Sequence, residues 1–141
     1  MKEYKITEEQ IKEAWLPIYK YEYFYEVSNF GRVKSLCRNA SHSSGTGFRP
    51  VSEKILSQSL NPQGYLKVML SKYGIKKTRL VHHLVAESFL NHTKRSEFIC
   101  VDHIDENPQN NHLSNLQIIS KRENTIKSYK NSQEDRILTE N

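Results

Sequence analysis

The sequence has too few cysteines for a disulfide framework or an obvious zinc site. Cys37 and Cys100 are the two cysteines among 141 residues, and they form no Cys-x-x-Cys pair. No secretory signal core is present, and no apolar run approaches the ~20 residues of a membrane-spanning helix. These absences predict a protein of a reducing cytoplasm, without structural zinc and without a membrane partner.

Apolar residues are scarce as well, at 36% of the chain, whereas positive charge is in excess, with a formal net charge of +5. A chain of this length and composition predicts one small domain, built of compact pieces joined by polar loops. The charge permits a nucleic-acid partner without requiring one, because a solvated lysine-rich surface gives the same balance.

Two segments of alternating apolar and polar residues predict β-hairpins in the first half. The first spans residues 23–36, and the second pairs residues 65–70 with 75–80. Residues 38–50 are small, polar and basic, which predicts a mobile loop. A capping pattern predicts a short helix over residues 7–14.

The second half changes from strand to helix periodicity. Residues 81–90 predict an amphipathic helix, and an apolar strand over 98–101 leads into Asp102 and His103. An asparagine-rich loop and a second strand follow, and a final helix begins at Ser120 with a capping box. The predicted class is α+β, with a basic antiparallel β-hairpin module in 1–80, a strand–loop–strand–helix unit in 81–130 and a polar tail in 131–141.

An acid, a base and two amides follow one another in this second half. His103 is suited to accept a proton, because imidazole is partly neutral near pH 7. The carboxylate of Asp102 suits a hard cation, and Asn124 lies near a helix N-terminus, where phosphates bind readily. The amide of Asn115 can hold the imidazole in one tautomer. Asp102 and His103 would point to opposite faces of a regular strand, so one site needs the strand to end or twist there.

Residues 100–127, CVDHIDENPQNNHLSNLQIISKRENTIK, resemble the HNH endonucleases of the phage and homing type, whose last motif residue is Asn. Residues 15–36 resemble NUMOD4, a small module often found upstream of these nuclease domains. The resemblance implies a ββα-metal unit and an endonuclease that nicks or cuts double-stranded DNA with a single Mg²⁺ or Mn²⁺ ion. It implies that Asp102 and Asn124 bind the metal, His103 is the general base, Asn115 orients that base, and His82 contacts phosphate or supports the site.

Basic side chains on the two hairpins are the candidates for contacts with DNA phosphates. They are Arg32, Lys34, Lys67, Lys72, Lys76, Lys77 and Arg79. Many homing-type relatives carry a C-terminal helical DNA-binding module, and this sequence stops at Asn141. Sequence specificity is therefore expected from the β module, from residues 38–50 or from a partner protein, unless the chain is part of a longer protein.

Two other classes of function remain open at this point. One is a catalytically idle DNA-binding module that keeps the HNH fold, although such a copy has no need of an unpaired acid beside a histidine. The other is a protein that acts on RNA or inhibits a partner through its basic hairpins. The expected location is the cytoplasm of a bacterium or of a phage-infected cell, and the sequence leaves the target site and the oligomeric state open.

Overall fold

The computed structural model describes residues 12–41, 45–92 and 97–139. The strands of the first half are β1 (Trp15–Pro17), β2 (Tyr25–Ser28), β3 (Val33–Ser35), β4 (Arg38–Ser41), β5 (Phe48–Val51), β6 (Lys54–Ile55), β7 (Ser59–Leu60), β8 (Leu66–Lys72) and β9 (Ile75–Leu80). The second half contains α1 (Val81–Phe89), β10 (Ile99–His103), a 3₁₀ turn (Leu113–Asn115), β11 (Leu116–Ser120) and α2 (Lys121–Thr139). This mixture of antiparallel strands and helices confirms the predicted α+β class.

The first predicted hairpin is present as β2 and β3, which pair antiparallel in a sheet with the order β1-β2-β3-β6. Val27 and Val33 lie opposite each other in this register, and both are fully buried. The chain turns between them through residues 29–31, as Asn and Gly in the sequence predict.

Two predictions for the first half need revision. Residues 38–50 do not form a mere loop, because β4 and β5 pair in a two-stranded antiparallel ladder, with Arg38 opposite Val51. Backbone hydrogen bonds hold this ladder together, and it buries no apolar face. Residues 38–50 therefore lack the apolar pattern from which a strand pair can be predicted. Of the helix predicted over 7–14, residues 7–11 lie outside the described ranges, and residues 12–14 are not helical.

The second predicted hairpin is also present, as β8 and β9 in a sheet with the order β7-β8-β9. Val68 and Leu70 of β8 are buried, whereas Met69 between them is exposed, so one face of this sheet packs inward. The outward face carries Lys67 of β8 and, across the register, Lys76 of β9 opposite Ser71.

Helix α1 joins the two halves of the molecule in one apolar core. Val81, Leu84 and Val85 are fully buried at helical spacing, which confirms the predicted amphipathic helix. They belong to a cluster that includes Val27 of the first sheet and Leu70 of β8. The β module therefore packs against the same helix that borders the strand–loop–strand unit.

Strands β10 and β11 pair antiparallel, with Asp102 opposite Gln117 and His103 opposite Leu116. Helix α2 then begins with the predicted capping box. The amide of Glu123 donates to Oγ of Ser120 at 3.1 Å, and the amide of Ser120 donates to Oε2 of Glu123 at 3.0 Å. The polar residues 131–139 continue this helix, with side chains 132–138 exposed.

The described helices are either short or polar. Helix α1 has nine residues, and α2 has 19 residues of mostly charged and polar type. Within the ranges given above, no helix combines the length and the apolar character needed to cross a membrane.

Candidate active site

Asp102 is held by side chains of its own strand–loop–strand–helix unit. The carboxylate is buried, and its Oδ2 accepts hydrogen bonds from Nε2 of Gln117 at 2.7 Å and from Nζ of Lys127 at 2.8 Å. Both contacts fall on one oxygen, and no hydrogen bond to Oδ1 occurs among the described residues. One carboxylate oxygen of Asp102 is therefore paired with the ammonium of Lys127, and the lone pairs of the other oxygen are available to a further ligand.

Lys127 reaches this point from helix α2. Besides pairing with Asp102, its ammonium donates to the backbone carbonyl of His103 at 2.9 Å, at the end of β10. Asn124 lies three residues earlier on α2 and is half-buried. Residues three apart are neighbours on one face of a helix, about 4.5 Å apart along its axis. Asn124 is thus placed on the face of α2 whose next turn contacts Asp102.

His103 is held from other parts of the chain. Its Nε2 lies 2.8 Å from Oδ1 of Asn111, and both side chains are buried. An amide oxygen accepts, so this contact assigns the proton to Nε2 and leaves the lone pair on Nδ1. That tautomer gives the ring a basic nitrogen on the side away from Asn111.

Asn111 is a residue that sequence reasoning missed, because in the sequence it is only one member of the asparagine-rich loop. The loop also contains Asn107 and Asn110, and no local pattern distinguishes the three. In the structure, Oδ1 of Asn107 accepts from the amide of Gln109 at 3.1 Å, which is a turn contact, whereas Asn111 points to the imidazole. Only the three-dimensional course of the loop shows that Asn111, and not Asn107 or Asn110, reaches His103.

Two aromatic side chains pack around the His103 ring. The ring of His82, from α1, meets it edge-on with centroids 5.0 Å apart, and the ring of Tyr65 stacks on it at 5.9 Å. His82 is buried, and Tyr65 also contacts His82 at 5.0 Å. The structure thus places His82, the predicted phosphate contact or support, directly against the imidazole.

Asn115 closes the loop that precedes β11. Its Oδ1 accepts from the amide of Asp105 at 3.0 Å, and its Nδ2 donates to Oδ1 of Asp105 at 2.8 Å and to the carbonyl of Asn110 at 2.9 Å. The sequence resemblance implied that Asn115 orients the imidazole, but in the structure Asn111 makes that contact. Any influence of Asn115 on His103 passes through the loop that it closes.

Asp105 is the acceptor around which this loop is organised. Hydrogen bonds from the Asn110 amide, from the backbone of Asn107 and from the Asn115 amide lower the pKa of the Asp105 carboxyl below its usual value. Each of these three bonds is 2.8 Å long. A deprotonated Asp105 therefore fixes both ends of the loop on which Asn111 stands.

The predicted DNA-contacting cations of the first sheet are engaged within the protein. Arg32 donates to both carboxylate oxygens of Glu13, with 2.8 Å between Nε and Oε1, and this pairing lowers the pKa of Glu13 and raises that of Arg32. Lys34 lies 3.2 Å from a carboxylate oxygen of Glu26 and 3.7 Å from one of Glu53. Phosphate contact at either residue requires exchange of an existing partner.

The cations of the second hairpin differ in whether they already have a partner within the protein. Arg79 forms a two-oxygen ion pair with Glu87 at 2.7 Å, and Nζ of Lys72 donates to the backbone carbonyl of Lys20 at 2.7 Å. Among the described residues, the remaining three cations have no ion pair. They are Lys67, Lys76 and Lys77.

Strand alternation separates these three lysines. Lys67 and Lys76 lie on the outward face of the sheet, and Lys77 faces the other way, opposite Leu70. Tyr65 lies two residues before Lys67, and its ring contacts His103. The start of β8 therefore lies beside the His103 ring.

The oxygen ligands at the end of β10 fit a hard divalent cation better than zinc. Asp102 offers a carboxylate oxygen, and Asn124 offers an amide oxygen from the adjacent helix face. Across the described part of the chain, no cluster of three or more His, Cys, Asp or Glu side chains has the geometry of a metal site. A cation here would complete its shell with water or with phosphate oxygens.

Comparison with known proteins agrees with this architecture. Residues 13–71 match the family model of the NUMOD4 motif. The solved structure described as "DNA binding and cleavage by the HNH homing endonuclease I-HmuI" superposes with a TM-score of 0.64 and 31% identity, over 89% of this chain and 66% of that one.

Curated relatives point the same way. The DNA endonuclease I-HmuI of Bacillus phage SP01 is 34% identical over 110 residues, which are 78% of this chain and 54% of that protein. The SPbeta prophage-derived YosQ of Bacillus subtilis (strain 168), named for the HNH homing endonucleases, is 45% identical over 73 residues, 50% of this chain and 40% of that protein. The chain thus spans about half the length of these relatives.

The chain is therefore a NUMOD4-containing relative of the HNH homing endonucleases, which confirms the family resemblance seen in the sequence. Its fold matches that of an HNH endonuclease that binds and cleaves DNA. The NUMOD4 match lies within the range 1–80 that was predicted to form the β module.

Proposed function

We propose that this protein is an endonuclease that hydrolyses phosphodiester bonds of double-stranded DNA with one divalent metal ion. The observation that carries the proposal is the end of β10, where a buried carboxylate and a buried imidazole with a free Nδ1 lie on adjacent residues. The strand ends at His103, so a phosphate lying across this end can approach Asp102 from one face and His103 from the other. The likeness to I-HmuI supports the same assignment.

His103 is the proposed general base. Its Nδ1 takes a proton from the attacking water. Asn111 accepts a hydrogen bond from Nε2 and so stabilises the imidazolium that forms. The rings of His82 and Tyr65 restrict rotation of the imidazole. A base held in one orientation keeps its lone pair aimed at the water and needs no reorganisation in the transition state.

Asp102 and Asn124 are the proposed metal ligands. A bound Mg²⁺ or Mn²⁺ would supply charge stabilisation for the leaving 3′ oxygen of the DNA. Lys127 shares Oδ2 of Asp102, and it holds the carboxylate in position without using Oδ1. Two protein ligands bind such an ion weakly, so phosphate oxygens of the DNA are expected to raise its affinity.

The outward face of β8 and β9 is the proposed path of the DNA backbone. Lys67 and Lys76 lie on this face, and they have no ion pair among the described residues. Duplex DNA placed along it would reach the His103 ring at Tyr65. Lys72 and Arg79, which hold partners within the protein, are secondary candidates.

This division gives each part of the chain a proposed role. Residues 1–80 contact DNA, residues 81–130 form the nuclease unit, and residues 131–141 are a polar tail, of which 131–139 continue the last helix. Relatives from a Bacillus phage and a Bacillus prophage suggest a bacterial or phage-infected cytoplasm as the place of action. Sequence specificity would then come from the β module, from residues 38–50 or from a partner protein.

One contact favours the idle DNA-binding module as the second candidate. The sequence argument against that function is that an idle copy needs no unpaired acid. In the structure, however, Asp102 is paired with Lys127. An ammonium that neutralises the carboxylate would serve a module without metal equally well. The two candidates differ in what happens when Lys127 is neutralised. Under the nuclease proposal, Lys127→Gln removes the positive charge that balances Asp102 and lowers the Mg²⁺ concentration that gives half-maximal cleavage, whereas an idle module does not cut DNA in either form.

The test is incubation of supercoiled plasmid with the parent protein and with Asp102→Ala, in Mg²⁺, in Mn²⁺ and in excess EDTA. The proposal expects open-circular or linear product from the parent in either metal, and none in EDTA or from the variant. Circular dichroism in EDTA should show the fold retained, because the proposal expects no structural zinc. Robust cutting in EDTA would exclude the one-metal mechanism, and DNA binding without cutting in either metal would establish the idle module.

A further inference from the structure

The turn between β2 and β3 contacts the loop that carries Asn111. The amide of Leu113 donates to the carbonyl of Asn29 at 2.8 Å. The ring of Phe30 stacks on the ring of His112, with centroids 4.9 Å apart and 26° between the planes. These contacts join residues 29–30 of the NUMOD4 motif to residues 112–113 of the nuclease unit, more than 80 positions later in the chain.

Gly31 makes the closest approach. A Cβ atom at this position would lie 2.8 Å from Cβ of Asn111 and 2.9 Å from its backbone oxygen. Real Cβ atoms do not show such contacts, so the backbone of Asn111 can lie here only because residue 31 lacks a side chain. Gly31 also has φ +81°, a left-handed conformation that favours glycine.

The turn itself is held firmly. Oγ of Ser28 accepts hydrogen bonds from the amides of Phe30 at 3.2 Å and Arg32 at 3.1 Å. The carbonyl of Gly31 accepts from Nε2 of Gln58 at 2.8 Å. Because these hydrogen bonds fix the backbone of the turn, the turn can hold the segment that packs against it in one position.

We infer that the turn at residues 29–31 positions Asn111 and, through it, the imidazole of His103. The NUMOD4 motif thereby contributes to the geometry of the proposed base as well as to DNA contact, and this inference rests on the proposed role of His103. Gly31 and Phe30 are positioning residues, because they touch the loop and not the imidazole. Asp102 has its partners in the nuclease unit itself and does not depend on this turn.

The chain offers a matched control for Gly31. Gly74, in the turn between β8 and β9, has φ +78°, and a Cβ there would meet no atom within 4 Å. Gly31→Ala and Gly74→Ala therefore impose similar backbone strain, and only the first displaces Asn111. Phe30→Ala removes the stack on His112 without backbone strain, and it keeps the inference testable if Gly31→Ala does not fold.

The readout is the ¹⁵N and ¹H spectrum of the His103 ring at one fixed pH, together with cleavage rates at saturating DNA. Gly31→Ala and Phe30→Ala should shift the tautomer balance of the His103 ring relative to the parent, and Gly74→Ala should not. Where the parent cuts DNA, the first two should also slow cleavage by roughly tenfold to a hundredfold. Their dissociation constants for DNA should change less than about threefold.

Asn111→Ala should reproduce the spectral change, and adding Gly31→Ala to it should cause little further effect, because both act on one contact. Parent-like His103 spectra in both Gly31→Ala and Phe30→Ala would overturn the inference. A parent that does not cut DNA would sink the proposed function alone, because the spectra still decide whether the turn positions the ring.

Discussion

The two side chains at the end of β10 are held by different parts of the chain. Asp102 has its hydrogen bonds with Gln117 and Lys127, both within the next 25 residues. His103 is packed against Tyr65 and hydrogen-bonded to a loop that rests on Gly31. One strand end thus combines a locally built acid with a base whose surroundings come from the whole molecule.

This difference decides what a short motif can reveal. The environment of Asp102 follows from a hairpin register and a helix phase, which are periodic features of the sequence. The environment of His103 depends on packing between the β module and the loop, for which the sequence has no period. A short motif therefore singles out both residues, but the partners of Asp102 follow once the hairpin register and the helix phase are fixed, whereas those of His103 need the packing of the whole molecule.

The largest effect on the side of the acid is expected at Asn124. Asn124→Ala removes the amide oxygen that is proposed to bind the metal together with Asp102 and should reduce plasmid cleavage to background, whereas Asn124→Asp keeps an oxygen ligand and should retain some activity. Cleavage rates over a range of Mg²⁺ concentrations make the measurement. Gln133→Ala, on an exposed part of the same helix, is the control for loss of an amide.

Equal activity of Asn124→Ala and the parent would contradict the proposed role of Asn124 as a metal ligand. In that case, the cation would not be bound between α2 and the end of β10. Stability measured by thermal unfolding should be similar in the two Asn124 variants, so that the difference between them reports on the oxygen ligand.

An intermediate effect is expected at the lysines of the second hairpin. Lys67→Gln and Lys76→Gln, on the outward face, should each reduce the salt dependence of DNA binding by up to one phosphate contact, a log–log slope of about 0.9. Lys77→Gln, adjacent to Lys76 but on the opposite face, should change it little. Dissociation constants measured at several salt concentrations give the slopes.

The lysine series can also contradict the proposed path of the DNA. A loss at Lys77 as large as that at Lys76 would mean that the DNA meets the edge of the hairpin and not its outward face. Unchanged slopes in all three variants would show that these lysines are only solvated surface charges, which are common on exposed strands.

The smallest effect is expected at Asp105, which orders the loop behind the base. Its pKa is lowered in the folded protein, so the stability that it contributes is present above the unfolded pKa and is lost as pH falls through the folded pKa. Asp105→Asn should therefore melt below the parent at neutral pH. The difference should close as pH falls below about 4.

Melting curves at several pH values make this measurement, with Glu134→Gln on the exposed part of α2 as the comparison variant. A gap between Asp105→Asn and the parent that stays constant down to low pH would mean that the amide network, and not the charge of Asp105, orders the loop.

Sequence patterns predicted the two hairpins, helix α1 and the capping box at Ser120, because each rests on contacts between near neighbours. They did not predict the ladder of β4 and β5, which buries no apolar face, or the pairing of Lys127 with Asp102. Polar contacts of this kind need a register or a helix phase to bring their atoms together. The choice of Asn111 over Asn115 as the partner of His103 needs, in addition, the path of the whole loop.

The central claim is that His103 acts as the base, and the most direct test is single-turnover cleavage of supercoiled plasmid by His103→Ala at saturating protein. His92→Ala, at the end of α1, is the matched histidine control. The claim expects a loss of about 10²- to 10⁴-fold for His103→Ala, with DNA binding and melting temperature close to those of the parent. Added imidazole should restore part of the rate. Cleavage by His103→Ala within a few-fold of the parent would contradict it.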